Sequence, residues 1–207
     1  MSIQQLSIQA ELAQASYSAL SAGMSTPDLV AALRSPRGEF AATQAQQFAA
    51  KYSVLLQYND DTSPQGNGTG LSLTVFKDNT TNQLTLAIRG TTDAADWQTG
   101  NISIVNGGAA YAQIAALYSW WRRAIASTNE WVPQYAFYTT DQGDPNALAV
   151  TGGYLVRKPD AAGTGGIDMS ADPEQRLDVT GHSLGARDAG NPASAANEER
   201  FALERRA

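Results

Sequence analysis

Five residues late in the chain restrict its fold more than any others. An alternating run, Arg176-Leu177-Asp178-Val179-Thr180, leads straight into Gly181-His182-Ser183-Leu184-Gly185. A strand that enters G-x-S-x-G must turn sharply out of a sheet towards a helix. The flanking glycines leave room for close backbone approach, and the serine hydroxyl projects from the sheet edge. Amides at the start of the following helix would face the same point and favour negative charge there. Ser183 is therefore the candidate nucleophile, and the backbone N–H of Leu184 is a candidate donor to an oxyanion. Read without that geometry, Ser183 is an ordinary turn serine.

The rest of the chain reads as helices followed by strands. Ile8, Leu12, Ala15 and Ala19 recur at helical spacing, with Gly23 as the expected C-cap. Thr26 and Pro27 read as the N-cap and first position of a short helix through Leu33. Ala41, Ala45, Phe48 and Tyr52 give a third stripe, so residues 1–52 form a helical part. Residues 53–58 read as a strand and 59–70 as a polar, Gly-rich loop. Two alternating runs, 71–77 and 83–89, flank the turn Asp78-Asn79-Thr80-Thr81-Asn82 and predict a β-hairpin. Helical spacing returns over 109–125, where Tyr111, Ile114, Tyr118, Trp121 and Ile125 share a face. Residues 127–175 read as a long loop with weak strand signals at 154–157.

Composition narrows the chemistry. With 207 residues the chain suits one domain, and 43% hydrophobic against 16% charged residues is a globular balance. A net charge of −6 without a basic stripe argues against a nucleic-acid partner. There is no cysteine, which removes disulfides, thiolate metal sites and a cysteine nucleophile. His182 is the single histidine, so a histidine-based metal centre is not expected, and no cofactor is implied. The N-terminal residues lack a signal-peptide pattern, and no stretch is apolar for long enough to suggest a membrane span.

A second motif lies about ninety residues before the first: Leu86-Ala87-Ile88-Arg89-Gly90-Thr91-Thr92, followed by Asp96-Trp97. Together with Gly-His-Ser-Leu-Gly at 181–185, it resembles the paired motifs of class 3 lipases, over roughly residues 40–186. The resemblance implies an α/β fold: the N-terminal half of an α/β-hydrolase-like core with additional N-terminal helices, one incomplete domain over 1–207. It implies a carboxylic ester hydrolase, similar to triacylglycerol lipases, acting on an acyl ester or lipid through Ser183. Thr91 and Leu184 would supply the oxyanion hole, residues 92–105 would hold the family's lid, and His182 would be a structural neighbour. Relatives of this kind are often secreted, and a full-length relative would contact a lipid interface. Without the resemblance, Gly90 ends a strand and Thr91 is a turn residue, while Trp97, Trp120, Trp121 and Trp131 are packing residues.

The chain departs from that pattern after the serine. An α/β-hydrolase brings its acid and then its histidine after the nucleophile, yet the 24 residues beyond Ser183 hold no histidine. His182 sits on the turn itself, with its ring expected to point away from the serine hydroxyl. The run Ala186-Arg187-Asp188-Ala189-Gly190-Asn191-Pro192 is charged and broken by proline where a core-packed helix is expected, and 187–207 form an atypical polar tail. The expectation is a lipase reading truncated or frame-shifted after the elbow, with impaired catalysis because the triad acid and histidine are missing. The alternative is a non-catalytic, lipid-binding remnant of such an enzyme.

Overall fold

The computed structural model describes residues 2–89, 111–168 and 177–181. Three helices come first, α1 (Ile3–Ala15), α2 (Thr26–Leu33) and α3 (Ala42–Lys51). Strands β1 (Tyr52–Asn59), β2 (Ser72–Asp78) and β3 (Leu84–Ile88) follow, and then helix α4 (Tyr111–Ile125). Strands β4 (Trp131–Tyr138), β5 (Leu148–Val150), β6 (Gly153–Ala162) and β7 (Leu177–Gly181) complete the described part. The chain is thus mixed α/β, with one sheet ordered β1-β2-β3-β7 and another ordered β4-β6-β5.

Local chemistry sets the helix ends. At α1 the Ser2 hydroxyl accepts the Gln5 N–H at 3.1 Å while the Gln5 side chain accepts the Ser2 N–H at 2.9 Å, a capping box. This helix stops at Ala15 rather than running to Gly23. The Ser16 hydroxyl donates to Ala13 O at 2.7 Å, and Ala19 is exposed. Gly23 instead takes a φ of 67° in the turn towards α2 and donates its N–H to Val54 O at 2.9 Å. The α2 cap is Ser25, one residue before the expected Thr26, and its hydroxyl accepts the Asp28 N–H at 3.3 Å.

The first sheet is covered on both faces. Leu12, Leu29, Leu33, Ala45 and Phe48 pack with Val54, Phe76 and Ala87 on one side. On the other, Leu73, Val75, Leu84 and Leu86 meet Ala116, Trp120 and Ala124 of α4. The alternating runs predict this division, since residues two apart share a face. Phe48 anchors the helical layer, with ring centroids 5.6 Å from Phe40 and 5.5 Å from Phe76, both edge-on.

One expectation about the second half of the chain fails. Residues 127–175 are not one long loop: β4 and β6 pair antiparallel from Trp131↔Ala162 to Tyr138↔Tyr154, and β5 extends the sheet. Pro133 hides β4 in the sequence, but it sits where the register shifts between Val132 and Gln134, a bulge position that needs no proline N–H. Helix α4 packs with small side chains and one tryptophan. Its buried residues are Ala115, Ala116, Ser119, Trp120, Arg123 and Ala124, while Ile114, Tyr118 and Ile125 are exposed. Its flank is held by β4, where Ser119 Oγ accepts the Tyr135 N–H at 2.8 Å and donates to Tyr135 O at 3.2 Å. The chain after β6 then caps α4: Thr164, Ile167 and Gly165 donate N–H groups to the carbonyls of Arg123, Ala124 and Ala126 at 2.8–2.9 Å.

The β2–β3 hairpin, by contrast, forms where expected, and Asp78 closes it. Its Oδ1 accepts the N–H groups of Thr80 at 2.8 Å and Thr81 at 3.0 Å. Burial alone would raise this carboxyl, but those two amides and the Lys51 ammonium outweigh it and hold it below its ordinary value. A depressed carboxyl contributes stability above its unfolded-state pKa and loses it as pH falls through the folded-state value. Asp78→Ala is therefore expected to cost about 1–2 kcal/mol at neutral pH. Denaturant titrations of both proteins should converge as the pH drops below about 3.9. A gap that persists undiminished in acid would contradict this role.

Candidate active site

The two strands that lead into the motifs singled out in the sequence end side by side in the first sheet. Strand β7 pairs with β3 in parallel, in register from Leu84↔Leu177 to Ile88↔Gly181. Parallel strands point their C-terminal ends the same way, so Ile88-Arg89 and Thr180-Gly181 exit at one rim. Ser183, Leu184, His182, Thr91, Gly90, Asp96, Trp97 and the segment 92–105 lie outside the described residues. What is described is the platform that leads into both motifs.

The platform is held from three directions. Below, the Thr180 hydroxyl donates to Gln9 O of α1 at 3.0 Å. At the end of β3, the Arg89 N–H donates to Ser72 O at 2.9 Å, which extends the hairpin by one rung. Gly181 approaches Ile88 closely: a Cβ there would lie 3.3 Å from Ile88 O, so the glycine suits a strand that runs tight against its neighbour. Val179 is 60% exposed on β7, which lies at the end of the strand order among the described residues.

A loop that sequence reading left as polar filler shares this rim. Residues 60–71 join β1 to β2, and β2 begins beside the end of β3, with Leu73 opposite Ile88. Asp60 lies at the centre and is 1% exposed. Its Oδ2 accepts the Asn67 N–H at 3.1 Å, the Thr69 N–H at 2.9 Å and the Thr69 hydroxyl at 2.8 Å. Its Oδ1 accepts the Tyr58 hydroxyl at 2.6 Å. Burial, reinforced by Asp60, pushes the Tyr58 phenol well above its ordinary range, so it remains a donor. Arg123 of α4 lies over the Tyr58 ring, 5.9 Å from its centroid, and donates to Gln134 of β4. The signal was present as Asn59-Asp60-Asp61 followed by Gly66-Asn67-Gly68-Thr69-Gly70, but nothing in the pattern said which carboxylate turns inward.

A groove of about 640 Å³ runs between α1 and the β3/β7 edge, lined among others by Leu6, Ile8, Leu12, Val179 and Thr180. Among the described residues it meets the rim at Thr180 and Gly181. Lys51, Asp78 and Gln83 line it at the far end of the strands, so it follows the sheet rather than the site. Among the described residues no group of His, Cys, Asp or Glu side chains could hold a metal ion, and no helix is long and apolar enough to cross a membrane.

Comparison with known proteins places no relative beside this chain: no family model, no curated protein and no solved structure matches it.

The parallel register can be tested directly, because the natural chain has no cysteine. Ala87 and Thr180 are opposite each other, and both face the α1 side. Ala87→Cys combined with Thr180→Cys is expected to close a disulfide under mild oxidation, visible as the loss of two hydrogen atoms in the intact mass. Ala87→Cys with Val179→Cys, whose side chains face opposite sides of the sheet, should remain reduced. The reverse outcome would mean that β7 is shifted by one residue.

Proposed function

We propose that this chain is a serine ester hydrolase of the α/β-hydrolase type, similar to class 3 lipases, with Ser183 as its nucleophile. The observation that carries the reading is the parallel register of β3 and β7. It brings the ends of the strands that precede two motifs, about ninety residues apart in sequence, to one rim. Such an elbow draws one oxyanion donor from the residue after the serine and another from the loop between a neighbouring strand and its helix. Residues 90–110 stand in that order here, between β3 and α4.

The chemistry follows from these positions. The Ser183 oxygen attacks the ester carbonyl carbon, and the carbonyl oxygen gains charge that the backbone N–H of Leu184 and the N–H and hydroxyl of Thr91 would hold. Collapse expels the alcohol and leaves an acyl ester on Ser183, which water then hydrolyses. Attack also needs a base for the serine proton. His182 is a neighbour in the chain rather than a partner placed across the site, and the proposal assigns no base.

The substrate class is an acyl ester or lipid, and no cofactor takes part. A second reading, lipid binding without turnover, is favoured by the lack of any histidine besides His182. The two separate on whether ester hydrolysis depends on Ser183.

With protein in excess over a short-chain nitrophenyl ester, turnover is expected at or barely above background, since an oxyanion hole and binding alone retain roughly 10³–10⁴-fold over water at best. Ser183→Ala should remove whatever is measured. Thr91→Val should lower whatever is measured, by less than the ~10²–10³-fold of a whole lost donor, because its N–H stays. His182→Ala should matter less than Ser183→Ala. Turnover that survives Ser183→Ala would defeat the assignment, and equal loss in Ser183→Ala and His182→Ala would make His182 the base.

A further inference from the structure

The described asparagines divide on one feature, the backbone N–H that follows each of them. After Asn59, Asn79 and Asn82 that group is engaged: Asp60 N donates to Leu71 O at 2.8 Å, Thr80 N to Asp78 Oδ1 at 2.8 Å and Gln83 N to Thr81 Oγ1 at 3.3 Å. After Asn129 and Asn146 it is engaged as well, Glu130 N with Ser127 O and Ala147 N with Asp144 O, both at 3.0 Å. Asn67 is the exception. Asn67 and Thr69 give their N–H groups to Asp60 Oδ2, whereas Gly68 between them donates to no group among the described residues. Gly68 is exposed, with a φ of 66° and nothing within 4 Å of the point where a Cβ would stand.

An asparagine side chain is an electrophile for the next backbone nitrogen. A succinimide ring closes when that nitrogen reaches Cγ, and a glycine there brings no side chain to obstruct it. A nitrogen already hydrogen-bonded to an acceptor is withheld from the attack. At Asn67 the carbonyl is prepared too. Lys158 of β6 donates to Asn67 Oδ1 at 2.8 Å, and because lysine only donates, the atom that faces it is the oxygen. A charged donor at that point stabilises the negative charge that Oδ1 gains as the ring forms.

We propose that Asn67-Gly68 is a self-modifying site, at which the chain deamidates with Lys158 as the electrostatic aid. Hydroxide takes the Gly68 amide proton, and the nitrogen bonds to Asn67 Cγ. Oδ1 holds the charge against Lys158 until the Cγ–Nδ2 bond breaks. The leaving nitrogen takes a proton from water and departs as ammonia, and the succinimide remains. Water then adds to either ring carbonyl and reopens the ring as aspartate or isoaspartate. The aspartate form sets a carboxylate where Lys158 now meets a neutral amide. The isoaspartate form lengthens the main chain between the two residues whose amides hold Asp60. None of these groups takes part in the ester chemistry above.

The test incubates the full, folded chain in neutral buffer and follows each asparagine by peptide mapping. Asn67 is expected to convert through a succinimide, while Asn59, Asn79, Asn82, Asn129 and Asn146 stay unmodified. Lys158→Met should slow the conversion by roughly two- to fivefold, the range of one partly exposed charge contact, and Lys158→Arg should restore most of the rate. In concentrated urea the parent and both variants should convert at one rate, which separates the contact from the local sequence. Two results would overturn the proposal. One is an Asn67 that stays intact in the folded parent over the time in which the urea-unfolded chain converts. The other is a folded Lys158→Met chain that converts as fast as the parent.

Discussion

Five residues of β7 lie parallel to β3, and nearly everything said of the site depends on that contact. Parallel neighbours need a crossover connection, and this one contains α4 and a three-stranded sheet before the chain returns. The return is supported where it can be: Leu177 packs against the cluster of β2, β3 and α4, and Thr180 hydrogen-bonds to α1. Between them, Asp178 and Val179 are exposed. The strand is therefore held by its register and its two flanks rather than by a deep core of its own, unlike β2, which is buried along nearly its whole length.

Much of this frame was legible in the sequence because local physics and tertiary packing agree there. Leu73, Val75, Leu84 and Leu86 alternate because one face of the hairpin meets α4, and the Asp/Asn/Thr turn between the strands has a direct use in Asp78. Where they disagree, the pattern misled. Helical spacing picks out Ile114, Tyr118 and Ile125, which are exposed, whereas Ala116, Trp120 and Ala124 meet the sheet. Strand β4 buries Val132, Gln134 and Ala136 and turns the bulkier Trp131, Tyr135 and Phe137 to its more exposed side, with a proline at its bulge, so the sequence shows no apolar face there. In α1 the Ser16 hydroxyl ends the helix before the apolar spacing does.

The candidate site divides along the same line. Gly181 and the strand before it were readable from the elbow pattern, and the structure sets them beside the end of β3. Asp60 was not readable, since its role depends on a loop folding back over twelve residues so that Thr69 meets its carboxylate. Ser183, Thr91 and Leu184 lie outside the described residues and are proposed from their motifs.

The central claim, that Ser183 is the nucleophile, has a direct chemical signature. Without an assigned base to activate water, an acyl group transferred to the serine should outlast the alcohol's release. Incubation with an activated ester, an acid quench and peptide mapping by mass spectrometry would locate it. The account predicts one acyl group on the peptide containing Ser183, absent from Ser183→Ala. Acylation confined to lysines or other serines, unchanged by Ser183→Ala, would contradict it.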